Sequence, residues 1–346
     1  MKHLPASLPS SLVISRTDNI GDVVLTLPLA GYLKSLHPSM RITFLGKAYT
    51  APIIRQSRFI DTFLDQAEVL QNPALLSGHE AILFAFPDKG IAQAAQKARI
   101  PVRIGTSHRW FHWLYANRLV HFSRRHSALH EAQLNFKLLK PLGIDYIPSL
   151  SEIPAWYGLE APQVMLPPAI AAALRTPKFA LVVHPKSRGS AREWTLSQYE
   201  ELLRQLGTGD YQFFLTGTAA EGELIQQQHP QLLQVPGVIN CTGQLGLGEL
   251  LALVAQTDGL LACSTGPLHL AAALGKLALG IYPPMPPLHP GRWQPLGVNA
   301  QVLVLDKPGC QDCKRTLPCH CIEAIGVGQV AQTLETFRKK SAIGGV

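Results

Sequence analysis

Short apolar runs alternate with polar turns and with longer stretches of helical spacing along most of the 346-residue chain. In the first half, the runs 12–15, 42–45, 81–86 and 102–104 read as strands. Segments 23–36, 91–98 and 130–142 read as helices, the last closed by Gly143, and Pro28 sits in the first turns of its helix or kinks it. Strand and helix in regular succession is the pattern of a parallel sheet covered on both faces. Between 148 and 177 the pattern fades, and Pro162, Pro167, Pro168 and Pro177 mark a linker region with room for a short helix at 168–174. The alternation then restarts, with strands at 179–183, 212–215, 259–262 and 277–282. Helices follow a capping box at Ser197-Gln198-Tyr199-Glu200 and cover 219–228, 247–255 and 328–339. The pattern predicts an α/β protein of two domains, 1–165 and 166–346, each built on a parallel sheet.

The densest signal is 258–284. An apolar run ends at Ser264-Thr265-Gly266-Pro267, a helix follows to Leu274 and Gly275, and a second apolar run begins at Leu277. Ser and Thr cap helices and Pro fits a first helical turn. The unpaired amides of a helix that starts at a strand's carboxyl end form an anion site, which Gly266 opens to close approach and His269 could support. An ordinary, well-capped βαβ unit explains the same residues.

Composition narrows the partners. The formal net charge is +8, which suits an anionic ligand or surface, and no nucleic-acid-binding signature accompanies it. Apolar runs fall well short of a membrane span, and Pro5, Pro9 and the early serines interrupt a signal-peptide core, so the chain reads as cytoplasmic. Segment 109–125 interleaves Trp110, Phe111, Trp113, Tyr115 and Phe122 with Arg109, Arg118, Arg124 and Arg125. It suits an acidic or lipid surface, or equally a helix with an aromatic core face and a solvated basic face. Cys310, Cys313, Cys319 and Cys321 lie within twelve residues, a spacing open to zinc or to metal-free packing.

Loops at the carboxyl ends of the strands carry the candidate chemistry. In the second half, loops 184–192, 216–221 and 263–269 should converge and offer Lys186, Ser187, Arg188, Arg192, Gly217, Glu221 and His269, a set suited to a nucleoside diphosphate. In the first half, loop 16–22 offers Asp22 beside Gly21, as a general base or merely as a helix cap. Gly-x-Gly-x-x-Gly after the first strand and Gly-x4-Gly-Lys-Ser/Thr are both missing, against a dinucleotide oxidoreductase and a P-loop enzyme.

Asn19 through Pro28, His130 through Ile144, His184 through Trp194 and Ser264 through Gly275 together resemble the motifs of glycosyltransferase family 9, the ADP-heptose:lipopolysaccharide heptosyltransferases. The resemblance implies a GT-B fold of two facing Rossmann-like domains, acceptor on the first and nucleotide sugar on the second, with the last helix free to return to the first. It implies inverting transfer of a heptose or related sugar from an ADP-sugar to the lipopolysaccharide inner core. It implies no metal or other cofactor, a monomer, and peripheral contact with the inner membrane surface. Asp22 falls on the family's base, and Arg192, Glu221, Thr265, Gly266 and His269 on its diphosphate and ribose positions. Lys186, Ser187, Gly217 and Ser264 complete the expected donor site, and Asn19, Arg118, Arg124 and Arg125 the acceptor site. Ser264 stands where many heptosyltransferases have Asp. A catalytically silent nucleotide-sugar binder on the same fold and a basic RNA-binding protein are the other classes considered; the missing recognition motif counts against the second.

Overall fold

The computed structural model describes residues 8–124, 127–313 and 318–343. The chain separates into two compact units that part between Glu160 and Ala161. The first holds a parallel sheet of β1 (Ser11–Ser15), β2 (Arg41–Gly46), β3 (Thr62–Asp65), β4 (Ala81–Phe84), β5 (Val102–Thr106) and β6 (Arg118–Val120), in the order β3-β2-β1-β4-β5-β6. The second holds β7 (Phe179–His184), β8 (Tyr211–Leu215), β9 (Val238–Asn240), β10 (Gly259–Cys263), β11 (Leu277–Tyr282) and β12 (Ala300–Val304), in the order β12-β11-β10-β7-β8-β9. In register, Leu12 pairs with Ile42 on one side and Ala81 on the other, and Gly259 pairs with Leu181 and Leu277.

Central strands are buried along their whole length, which is why they read as unbroken apolar runs. Each such Leu, Ile or Val contributes about 1.5–3 kcal/mol by leaving water. Helix Gly266–Ala273 packs between β10 and β11 and the chain that follows them. A Cβ at Gly297 would stand 2.5 Å from Ala272 O, so glycine is needed for that close passage.

Several local expectations change. Segment 23–36 is not one helix: Ile20–Val24 ends before Pro28, which begins a second helix, Pro28–Leu36, where its missing amide hydrogen costs nothing. Segment 130–142 is helix Glu131–Phe136 followed by a 3-10 stretch, Lys137–Leu142, that contains Pro141 and closes on Gly143 at φ 79°. The capping box lies two residues earlier than expected: Thr195 and Gln198 form it, while Glu200 pairs with Arg204 and His229. Over the described residues 109–124, the aromatic and basic segment is not a continuous helix but one turn, His112–Tyr115, followed by β6. Helix Val327–Ile343 packs within its own unit, where Phe337 meets Phe179 and Arg338 meets Asp210.

Candidate functional site

In the first sheet the connections diverge on either side of β1 and β4, so the loops after these neighbouring strands open a crevice at their carboxyl ends. Arg16 follows β1 and is almost wholly buried. Its Nε donates to Asp18 Oδ1 at 2.7 Å, its Nη2 to Asp22, and its Nη1 to Glu131 Oε1 at 3.2 Å and to Ala85 O, after β4, at 3.2 Å. Arg124 also grips Glu131, and its Nη2 donates to Ala85 O at 3.0 Å and Asn135 Oδ1 at 2.9 Å. Asn135 Nδ2 in turn donates to Thr26 Oγ1 at 3.1 Å, and that hydroxyl donates to the carbonyl of Asp22 at 2.7 Å. Two cations and three carboxylates thus share one partly desolvated cluster.

The crowding sets the protonation. Burial pushes the Asp22 carboxyl up, Arg16 pulls it down, and Asp18 and Glu131 push it up again, leaving it at about 6. Burial likewise raises Asp18 against the pull of Arg16. Burial would lower the Arg16 guanidinium, but Asp22, Asp18 and Glu131 together hold it above its usual value. A carboxylate poised near 6 is ionised at neutral pH yet basic enough to accept a hydroxyl proton. The helix-cap alternative is not supported. Asn19 is the N-cap of helix Ile20–Val24, and the Asp22 side chain bonds Arg16 instead.

In the second sheet β10, β7 and β8 are neighbours, and the loops after them meet. His184 Nδ1 lies 3.0 Å from Thr216 Oγ1, and Trp194 N donates to Cys263 Sγ at 3.3 Å. Burial lowers the His184 pKa against the pull of Glu221 and Glu193, which keeps the ring neutral. The first loop turns through Arg188 and Gly189 at φ 51° and 78°. Glu193 pins it: Oε2 takes Lys186 Nζ at 2.5 Å, and Oε1 accepts from Ser187 N at 2.8 Å and Ser187 Oγ at 2.7 Å. Trp194, 1% exposed, donates from Nε1 to Ile325 O at 3.0 Å, and Arg192 Nη2 donates to Cys313 O at 2.8 Å. The loop is therefore stapled to Cys313 and Ile325.

After β8, Gly217 leads into helix Ala219–Gln228, where Glu221 Oε2 accepts from Thr218 N at 2.7 Å and Thr218 Oγ1 at 2.9 Å in a capping box. After β10, half-buried Ser264 precedes Thr265, the N-cap of helix Gly266–Ala273, and His269 is buried within that helix. The Thr265 side chain caps no amide; its hydroxyl is buried and meets no hydrogen-bond partner. A helix start with no side-chain cap and a buried hydroxyl without a partner is what an anion would complete.

Each unit thus gathers its share of the predicted residues. Lys186, Ser187, Arg192, Gly217, Glu221, Ser264, Thr265, Gly266 and His269 lie on three adjoining loops of the second and on the first turns of the helices that follow two of them. In the first, Asp22 and Arg124 share a cluster and Asn19 is exposed beside it. Arg118 stands exposed on β6, apart from that cluster's bonds, and Arg125 lies outside the described residues. Sequence reasoning missed Arg16, Asp18, Glu131 and Asn135. A cation placed directly after a buried strand, with acids two and six residues on, was the available signal. The four clustered cysteines are buried in the second core, with Cys321 Sγ 3.5 Å from Cys310 Sγ. Among the described residues no group of three or more His, Cys, Asp or Glu side chains is arranged to hold a metal ion.

The profile of glycosyltransferase family 9 (heptosyltransferase) matches residues 96–322. A Haemophilus influenzae protein, assigned only by name as a glycosyltransferase, is 27% identical over 300 residues, 82% of this chain and 86% of its own length. A family 9 glycosyltransferase structure from Veillonella parvula superposes with a TM-score of 0.74 at 18% identity, over 99% of both chains. The Escherichia coli ADP-heptose lipopolysaccharide heptosyltransferase II structure does so with a TM-score of 0.71 at 18% identity, over 96% of this chain and 99% of that one. The α/β architecture of two parallel six-stranded sheets is that of these GT-B structures.

Proposed function

The chain belongs to glycosyltransferase family 9 (heptosyltransferase), and on that premise we propose that it transfers a heptose or closely related sugar, with inversion, from an ADP-sugar to an inner-core lipopolysaccharide acceptor. The observation that carries this reading is the start of helix Gly266–Ala273, whose first turn has no side-chain cap and whose buried, unpartnered Thr265 hydroxyl suits a diphosphate. Arg192 adds a cation and Glu221 a carboxylate for ribose hydroxyls; the ADP-heptose in the name of the similar Escherichia coli protein favours adenine as the base.

In the mechanism, Asp22 accepts the proton of the acceptor hydroxyl as that oxygen attacks the anomeric carbon from the face opposite the diphosphate. The C–O bond to the diphosphate breaks, and ADP leaves with the bonding electron pair. The helix start and Arg192 stabilise the charge developing on the leaving oxygen, so no protonated acid is required. Arg16 and Glu131 orient Asp22 and set its basicity.

Incubation with ADP-heptose, UDP-glucose and GDP-mannose in turn, with a deacylated inner-core acceptor, tests this. We expect ADP release and a product of inverted anomeric configuration with ADP-heptose alone. Turnover from a uridine or guanosine donor, or a retained configuration, overturns the assignment.

A further inference from the structure

Three large apolar side chains stand out of the first unit between β5 and β6: Trp110, Trp113 and Leu114 are 64%, 66% and 58% exposed. They are not loose. Trp113 Nε1 donates to Ser107 O at 2.9 Å, which satisfies the indole and leaves its ring in solvent. Trp110 meets Phe111 edge-on at 6.1 Å and carries the Lys89 ammonium over its ring at 5.1 Å. Beneath them, Phe111 and Tyr115 pack against the core, and fully buried His112 bonds Thr106 O at 2.9 Å and stacks on Phe84 at 5.5 Å. The prominence is held in place before any partner arrives, so little ordering entropy opposes its burial.

Its surroundings are cationic. Lys89 and Arg109 are exposed beside it and Arg118 is exposed on β6, the next strand, with the His108 and His121 rings 4.9 Å apart. No Asp or Glu occurs between Asp88 and Glu131, a stretch that contains eight Lys and Arg. The nearest acid in sequence, Asp88, is turned inward: its carboxylate accepts from Ile91 N at 3.0 Å and Gln66 Nε2 at 2.5 Å.

We infer that the Trp110–Trp113–Leu114 prominence seats in the headgroup–acyl boundary of an anionic lipid bilayer, with Lys89, Arg109 and Arg118 on the phosphates. Rigid indoles with a basic rim match the polarity gradient of that boundary. Three side chains are far fewer than the roughly 20–30 residues a side of a stable protein interface. The inference is independent of the sugar and acceptor assigned above.

The test uses the full chain with phosphatidylcholine vesicles, with and without phosphatidylglycerol, read by co-sedimentation and by tryptophan quenching with brominated acyl chains. The wild type should bind the anionic vesicles, be quenched, and lose binding as salt rises. Trp110→Ser/Trp113→Ser/Leu114→Ser should bind about tenfold more weakly or not at all, and turn over a water-soluble acceptor normally. Lys89→Gln/Arg109→Gln should weaken binding about fivefold per charge at low salt and flatten its salt dependence. Quenching in the wild type requires no variant, so a folding defect cannot mask the answer. Unquenched wild type on anionic vesicles, equal binding by the triple variant, or a wild-type dimer that the triple variant abolishes would overturn the inference.

Discussion

The two units solve opposite electrostatic problems. In the first, Arg16, Asp18, Asp22, Arg124 and Glu131 satisfy one another, and the cluster's product is a carboxylate whose basicity is set by its neighbours. In the second, helix Gly266–Ala273 starts with no side-chain cap and with a buried hydroxyl that meets no partner. A closed cluster suits a group whose orientation and basicity must be fixed by its neighbours. An open cradle suits a ligand that brings its own charge. On the proposed function, chemistry belongs to the first unit and donor affinity to the second, and variants should separate the two.

The largest separation should come from Asp22→Asn. Losing a general base costs about 10²–10⁴-fold in turnover, while ADP titrations of the second unit stay near wild type. Turnover near wild type would return Asp22 to a structural role. His269→Ala and Arg192→Ala should do the reverse, each weakening ADP by about 1–3 kcal/mol in calorimetry. Unchanged ADP binding in both would move the donor site elsewhere.

Thr265 and Thr218 sharpen the contrast within one unit. Thr265→Val should cost about 1 kcal/mol of ADP affinity yet leave the thermal midpoint of the free protein unchanged or higher, because its hydroxyl is buried without a partner. Thr218→Val removes a working N-cap and should cost about 1 kcal/mol of stability instead. The smallest effect expected is at Ser264. Ser264→Asp puts a negative charge beside the diphosphate site and should weaken ADP by about 1 kcal/mol at low salt, less at high salt. If Asp restores selectivity for ADP-heptose over other ADP-sugars, Ser264 sets donor choice as well.

Eight of the twelve strands among the described residues are legible as apolar runs, and the four that are not, β3, β6, β9 and β12, are the edges of the two sheets. An edge strand has one side open, so its residues are partly exposed and the apolar run breaks up. The donor loops were legible because a strand, a small-residue turn and a helix start leave a contiguous signature. The charged cluster was not. Arg16 is far in sequence from Glu131 and Asn135, and they meet only because the chain wraps back beside β1 and β4. The shift of the capping box from Ser197 to Thr195 has a local cause: Gln198 caps as well as Glu does, so two overlapping boxes compete, and Trp194 burial fixes the register.

The pH dependence of kcat/KM tests most directly the claim that the first cluster tunes Asp22 as the base. The base must be ionised, so activity should rise as pH increases through about 6 and then level. A sugar nucleotide's pyrophosphate is esterified at both ends and has no proton to lose in that range. Glu131→Gln removes a negative charge that raises the Asp22 pKa, so its rising limb should move to lower pH. Arg16→Gln removes the cation that lowers it, so that limb should move to higher pH. A profile flat from pH 5 to 8, or limbs that stay put in both variants, would contradict the account.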